Sequence, residues 1–71
     1  MISYKPLLQQ LKLRKISMRQ LQRDLSISSA TTTKLSNNQS VTMSTIEKIC
    51  LYLDVPIEQV VRIVPNESDK Q

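Results

Sequence analysis

Between Ser17 and Leu35 the chain reads SMRQLQRDLSISSATTTKL, a segment that punctuates itself as two short helices around a tight turn and so restricts the fold more than any other. Ser17 followed three residues later by Gln20 is a capping-box pattern that satisfies two otherwise unpaired amides and starts a helix at Met18. Met18, Leu21 and Leu25 recur at i, i+3 and i+7 among Arg19, Gln22, Arg23 and Asp24, which leaves this helix one face to bury. Ser26 stops it, Ile27 is a lone apolar anchor, and Ser28 caps a second helix from Ser29 to about Ser36.

In the second helix only Thr32 and Leu35 fall on the side of Ile27. Ser29, Ala30, Thr33, Lys34 and Asn37 follow one another at three- and four-residue steps on the opposite side, a face that is small, polar and singly positive. Two inward residues bury too little for core formation alone to explain the helix, so the outer face invites a functional reading. Small hydroxyl side chains admit close approach to a major groove, and a lysine can donate to a guanine edge or to a phosphate. The plain alternative is a solvated helix face in a small bundle, since such residues coat most helices.

The order of helices, the run from Ile27 to Leu35, the Asn37-Asn38 step and the segment TMSTIEKICLYL from Thr42 to Leu53 resemble the Cro/CI-type helix-turn-helix family of bacteria and phages. The likeness spans Tyr4 to Val64. It is closest to very short members with a Tyr-Lys-Pro-Leu-like start, here Tyr4 to Leu7, and an Ile-Glu-x-Val-Val-like end, here Ile57 to Val61.

The resemblance implies an all-α, five-helix bundle of the lambda-repressor-like DNA-binding type over residues 1–65, with the motif at 17–36. The chain departs from the family pattern where a small Ala is usual and Gln22 stands, where a turn Gly is usual and Ser26 stands, and where a large aliphatic is usual and Thr32 stands. Gln22 must bend outward or find a partner, because a small residue there lets the two helices cross closely. Ser26 must accept a left-handed backbone or a slightly different turn. Thr32 keeps a methyl for the core and brings a hydroxyl able to bond the carbonyl one turn back.

Composition fits one small helical domain. A chain of 71 residues hides only about three fifths of its unfolded surface, and with Tyr4 and Tyr52 as its only aromatics the packing falls to aliphatic residues. The absence of a run of about 20 apolar residues, of a signal peptide and of a lipidation motif sets the expectation of a soluble, cytoplasmic protein. Cys50, the single cysteine, is expected as a buried small hydrophobe, and without histidine no transition-metal site is expected.

The net charge is +4, but residues 1 to 40 hold seven Lys and Arg against Asp24 alone, whereas residues 41 to 71 hold three against five acids. The basic half carries the motif. That asymmetry steers the protein toward a polyanion, most simply double-stranded DNA, and no helix pairs a basic face with the large apolar one a membrane surface would want.

Around the motif, the first helix begins at Ser3 or Tyr4, with Pro6 in its first turn and Tyr4, Leu7, Leu8 and Leu11 inward. Lys12, Arg14 and Lys15 crowd its end, where they complement the helix dipole; the resemblance implies phosphate contacts as well, with Arg14 and Lys15 the favoured pair. Asn37, Asn38, Gln39 and Ser40 form a polar loop that is either a surface turn or, as in proteins of the resembling family, a strip lying against the DNA backbone. Thr42 caps a fourth helix with Met43, Ile46, Ile49, Cys50 and Leu53 inward, Asp54-Val55-Pro56 breaks it, and Ile57 to about Val61 is expected as a fifth. The apolar ending Val60 to Val64 either pairs as a strand with Ile2 to Tyr4 or, through Val60, Val61, Ile63 and Val64, faces a second copy. Residues 66–71 are expected to be disordered.

No catalytic arrangement is legible: without histidine there is no Ser-His-Asp or Cys-His set, and without glycine no phosphate loop. The leading expectation is therefore a non-enzymatic, cofactor-free transcriptional regulator of the Cro kind from a phage or mobile element, acting as a homodimer. Ser29, Ala30, Thr33 and Lys34 would lie near base edges and the amides near Ser17 and Met18 against a phosphate. The alternative is a protein-binding module of the same fold, an antirepressor, antitoxin or corepressor that binds another regulator.

Overall fold

With no glycine available, every corner that needs a left-handed backbone must be turned by a residue carrying a Cβ. Four are turned this way, by Lys15 (φ 57°), Ser26 (φ 55°), Asn38 (φ 57°) and Asp54 (φ 56°), although the conformation costs an ordinary L-residue about 1–2 kcal/mol. In the computed structural model, which describes residues 1–65, these four corners close the helices α1 (Lys5–Arg14), α2 (Met18–Leu25), α3 (Ser29–Ser36) and α4 (Met43–Leu53). Ser26 thus takes the left-handed one of its two expected options.

The same hydrogen bond recurs at all four corners. The amide after each left-handed residue reaches back five positions, from Ile16 to the Leu11 carbonyl (2.9 Å), Ile27 to Gln22 (3.1 Å), Gln39 to Lys34 (2.9 Å) and Val55 to Cys50 (3.0 Å). This is the Schellman closure, and it is normally accompanied by an apolar contact from the residue that donates. Ile16, Ile27 and Val55 supply that contact by packing against the core. Gln39 is polar, and Tyr4 holds its corner instead: the Tyr4 amide donates to Asn38 Oδ1 (2.9 Å) and the Tyr4 hydroxyl to the Gln39 carbonyl (2.7 Å).

Three helices also start alike. The side chains of Ser17, Ser28 and Thr42 accept from the amides of Gln20 (3.0 Å), Thr31 (3.1 Å) and Thr45 (3.3 Å), as capping residues do. At α1 no side chain caps the helix; Pro6 occupies its first turn, and the Leu7 amide donates to the Val60 carbonyl (3.1 Å).

Each helix sends a narrow stripe inward, and Tyr4, Leu7, Leu11, Leu21, Leu35, Ile46, Ile49, Leu53 and Val60 form one core. The two ends of the described chain pair antiparallel as β1 (Ile2–Ser3) and β2 (Arg62–Ile63), with Ile2 opposite Ile63 and Ser3 opposite Arg62. This realises the strand option for the apolar ending.

Several expectations are corrected. Among the described residues there are four α-helices, not five: Ile57–Gln59 forms one 3-10 turn, because Val60 drops into the core at once and Arg62 is already paired with Ser3. Leu8 is 44% exposed and Met43 68% exposed, since Leu8 lies beyond the stripe of Tyr4, Leu7 and Leu11 and Met43 is the first residue of its helix. Cys50 is half-buried; partial burial and the Glu58 carboxylate both push its thiol pKa up, away from a reactive thiolate. Val60 is fully buried, so it is not available to a second copy. The tail 66–71 lies outside the described residues.

Candidate nucleic-acid interface

The turn between α2 and α3 presents one face of α3 to solvent and fixes the other. Leu35 is fully buried and Thr32 is 7% exposed. Thr32 resolves two of the chain's awkward positions together: its hydroxyl lies 3.0 Å from the Ser29 carbonyl and 3.1 Å from Oε1 of Gln22, one proton placed between two acceptors. The long amide that replaces a small residue in α2 has found its partner in the hydroxyl that replaces an aliphatic in α3. No buried side-chain polar atom among the described residues lacks a partner.

On the outer face Ser29, Ala30, Thr33 and Lys34 are all exposed, and Asn37 continues the strip. Thr33 donates its hydroxyl proton to the Ser29 carbonyl (2.9 Å). The hydroxyls of Ser28 and Thr31 lie 3.0 Å apart and bond to each other.

At the start of α2, the Ser17 hydroxyl accepts the Gln20 amide and the Ser17 carbonyl accepts the Leu21 amide (3.0 Å). This leaves the amides of Met18 and Arg19 as the open donors at the positive end of the helix. Met18 itself is half-buried against the core, so it can offer an anion its backbone but not its side chain.

The flanking residues divide. Lys15 sits on the left-handed corner two residues before Ser17, exposed. Arg14 turns back along α1, its Nε donating to Gln10 Oε1 (3.3 Å), while Gln10 Nε2 donates to Gln59 Oε1 (3.1 Å). Arg14 is therefore tied toward the 3-10 turn. In the loop after α3, Asn37 is exposed and unconstrained in role, whereas Asn38 has given its carboxamide oxygen to Tyr4 and keeps only its NH2 for another partner. Gln39 has given up its carbonyl to the Tyr4 hydroxyl but exposes its side chain. Burial raises the Tyr4 phenol pKa above its ordinary 10.0, opposed in part by the Val41 amide.

Asp24, the one acid in the basic half, is engaged at the far end of α2 by the Tyr52 hydroxyl of α4. That hydrogen bond raises the Tyr52 pKa above 10.0. Open depressions are lined by Gln9, Lys12 and Leu13 and by Lys5, Pro6, Gln9 and Arg62. Both are lined mainly by α1, and none of these lining residues belongs to α3.

Two features escaped the sequence. The Gln22 to Thr32 pair had a signal, two unusual polar residues at positions that face each other across the turn. The Tyr4 clamp on Asn38 and Gln39 had none, since 34 residues separate the Tyr4 amide from its acceptor.

A family model described as the Cro/C1-type HTH DNA-binding domain matches residues 6–66. Among solved structures, the crystal structure of the transcriptional regulator VanUg (Form II) superposes with a TM-score of 0.88 at 26% identity, covering 92% of this chain and 87% of that one. No curated protein matches the sequence. Among the described residues no helix is long and apolar enough to cross a membrane.

Proposed function

The chain belongs to the Cro/C1-type helix-turn-helix DNA-binding domains, and from that premise we propose that it is a sequence-specific transcriptional regulator, a Cro-like repressor of phage or mobile-element type that reads the major groove with α3. One observation carries this reading. The four residues Ser29, Ala30, Thr33 and Lys34 stand exposed on a helix whose opposite side is fixed by Thr32 and Leu35, directly after a helix whose first amides are open to a phosphate.

In this reading Met18 and Arg19 donate backbone amides to one phosphate and set the depth of α3. Ser29, Ala30, Thr33 and Lys34 face base edges, with Lys34 the one side chain long enough to donate to guanine O6 or N7. Lys15, Asn37, the Asn38 NH2 and the Gln39 side chain contact the flanking backbone, and Arg14 joins them by releasing Gln10. Repression follows from occupancy, since a domain seated in the groove excludes other proteins from the same base pairs. Two copies read half-sites about one helical turn apart. Ile63, 74% exposed on the edge of the strand pair, supports a homodimer contact with help from Val61 and Val64.

The test is the salt dependence of binding to duplex DNA, followed by fluorescence anisotropy. Counterion release predicts a linear fall of log K with log salt, by about 0.9 for each phosphate neutralised. Binding that is flat in salt, or no binding at all, would remove DNA from the proposal and leave a protein partner as the ligand of this face.

A further inference from the structure

Resting on that reading, we propose that Ala30 and Thr33 together select thymine in the operator by contacting its C5-methyl group. The argument starts from what the outer face of α3 has left to offer once its internal bonds are made. Thr33 is exposed, but its hydroxyl proton is already donated to the Ser29 carbonyl at 2.9 Å. A threonine in a helix has two populated rotamers, one of which bonds the carbonyl of the preceding turn. With the oxygen drawn back along the helix in this way, the methyl is what Thr33 shows to a partner.

Ala30 lies three residues earlier on the same face and is also exposed, and it has nothing but a methyl to show. Residues three apart on a helix have Cβ atoms about 5–6 Å from each other. The two methyls thus form one small apolar step in a polar face. The hydroxyls of Ser28 and Thr31 bond to each other at 3.0 Å, which engages one of their two protons.

The thymine methyl is the largest apolar feature of the major groove; apart from C–H groups such as the smaller cytosine C5–H, the groups on its base edges are hydrogen-bond donors or acceptors. A polar edge pressed against the Ala30 and Thr33 methyls would lose water without gaining a bond, whereas a thymine methyl gains contact and loses only water. Selection here works by both attraction and exclusion.

Deoxyuridine provides the probe, because it lacks the methyl and keeps every hydrogen-bonding group of thymine. A random duplex pool is amplified once with thymidine triphosphate and once with deoxyuridine triphosphate, and each is selected on the intact chain. The site recovered from the thymine pool is then remade with deoxyuridine at one position at a time. The expected result is a loss of about fourfold in affinity per contacted methyl, the equivalent of one buried CH2-sized group, confined to one or two positions.

Thr33→Val, which keeps the methyl and drops the hydroxyl, should preserve the thymine preference. Thr33→Ser, which does the reverse, should reduce it. Both substitutions are at an exposed site, and an unchanged thermal midpoint verifies folding. Equal affinity for the thymine and deoxyuridine sites overturns the methyl reading and leaves DNA reading intact. Failure to enrich either pool overturns both.

Discussion

The hydroxyl of Thr32 lies 3.1 Å from the carboxamide oxygen of Gln22, so a polar bridge joins α2 to α3 where a small residue and an aliphatic would otherwise pack. Because Thr32 also has the Ser29 carbonyl within 3.0 Å, the two partners are not equally dependent on each other. Gln22→Ala leaves Thr32 satisfied and should cost about 1 kcal/mol, the net worth of one hydrogen bond. Thr32→Val leaves the half-buried Gln22 oxygen without its partner and should cost about 1–3 kcal/mol. In urea denaturation the double variant Gln22→Ala/Thr32→Val should be more stable than the sum of the single effects by at least about 0.5 kcal/mol. Strict additivity would mean that the bridge carries no energy.

Tyr4 substitutes for the missing apolar contact at the corner after α3, and that substitution can be dissected. Tyr4→Phe removes the 2.7 Å bond to the Gln39 carbonyl and should lower stability by about 1 kcal/mol. Asn38→Ala should be worse than Asn38→Gly, because alanine loses the Oδ1 acceptor and keeps a Cβ at φ 57°, whereas glycine loses the acceptor and relieves the backbone. Thermal midpoints of the three variants give the order, and hydrogen exchange at the Tyr4 amide should accelerate in both Asn38 variants.

Ser26 and Lys15 turn left-handed corners without the help of an Asn or Asp side chain. Glycine there relieves about 1–2 kcal/mol of steric cost and gives back about 0.5–1 kcal/mol in the entropy of the unfolded chain. Ser26→Gly and Lys15→Gly should therefore each raise stability by about 0.5–1 kcal/mol. A loss of stability in either would contradict the left-handed assignment.

Both tyrosines have phenol pKa values above the ordinary 10.0, Tyr4 through burial and Tyr52 through its hydrogen bond to Asp24. For a group whose folded pKa is raised, the associated stability is complete below the unfolded value and drains away as pH climbs through the folded one. The contribution of these groups should thus be fully present and independent of pH near neutrality, and decline above about pH 10. Ultraviolet titration of tyrosinate should place both transitions above their positions in denaturant. Tyr52→Phe should leave a single raised transition, that of Tyr4.

What was legible in the sequence was what local chemistry decides. Ser17, Ser28 and Thr42 mark the starts of α2, α3 and α4 because a cap and the amide it satisfies lie three residues apart. Thr32 and Leu35 point inward, as the sequence alone indicates, because they are the two residues of α3 on the side of Ile27. What was not legible depends on which distant element arrives. Leu8 and Met43 are as apolar as their buried neighbours, but the described residues leave them largely uncovered. The fifth helix shrank to one turn because Val60 and Arg62 were claimed by the core and by β1. Asn38 reads as a plain loop residue, and only the fold shows that its oxygen is held by the Tyr4 amide. The roles of the exposed α3 residues follow from neither periodicity nor burial, since exposure on its own does not say what is touched.

The most direct test of the central claim, that the exposed face of α3 reads base sequence, is in vitro selection of genomic DNA fragments by the purified chain. It is run at about 0.15 M salt, where the Debye length is roughly 8 Å, beside the Lys34→Ala variant. The account predicts a recovered motif with two related half-sites, and a loss of about 1–3 kcal/mol in the variant with relaxed preference at one base pair of each half-site. Recovery of no fragment above background, or of the same motif with undiminished affinity by Lys34→Ala, would contradict it.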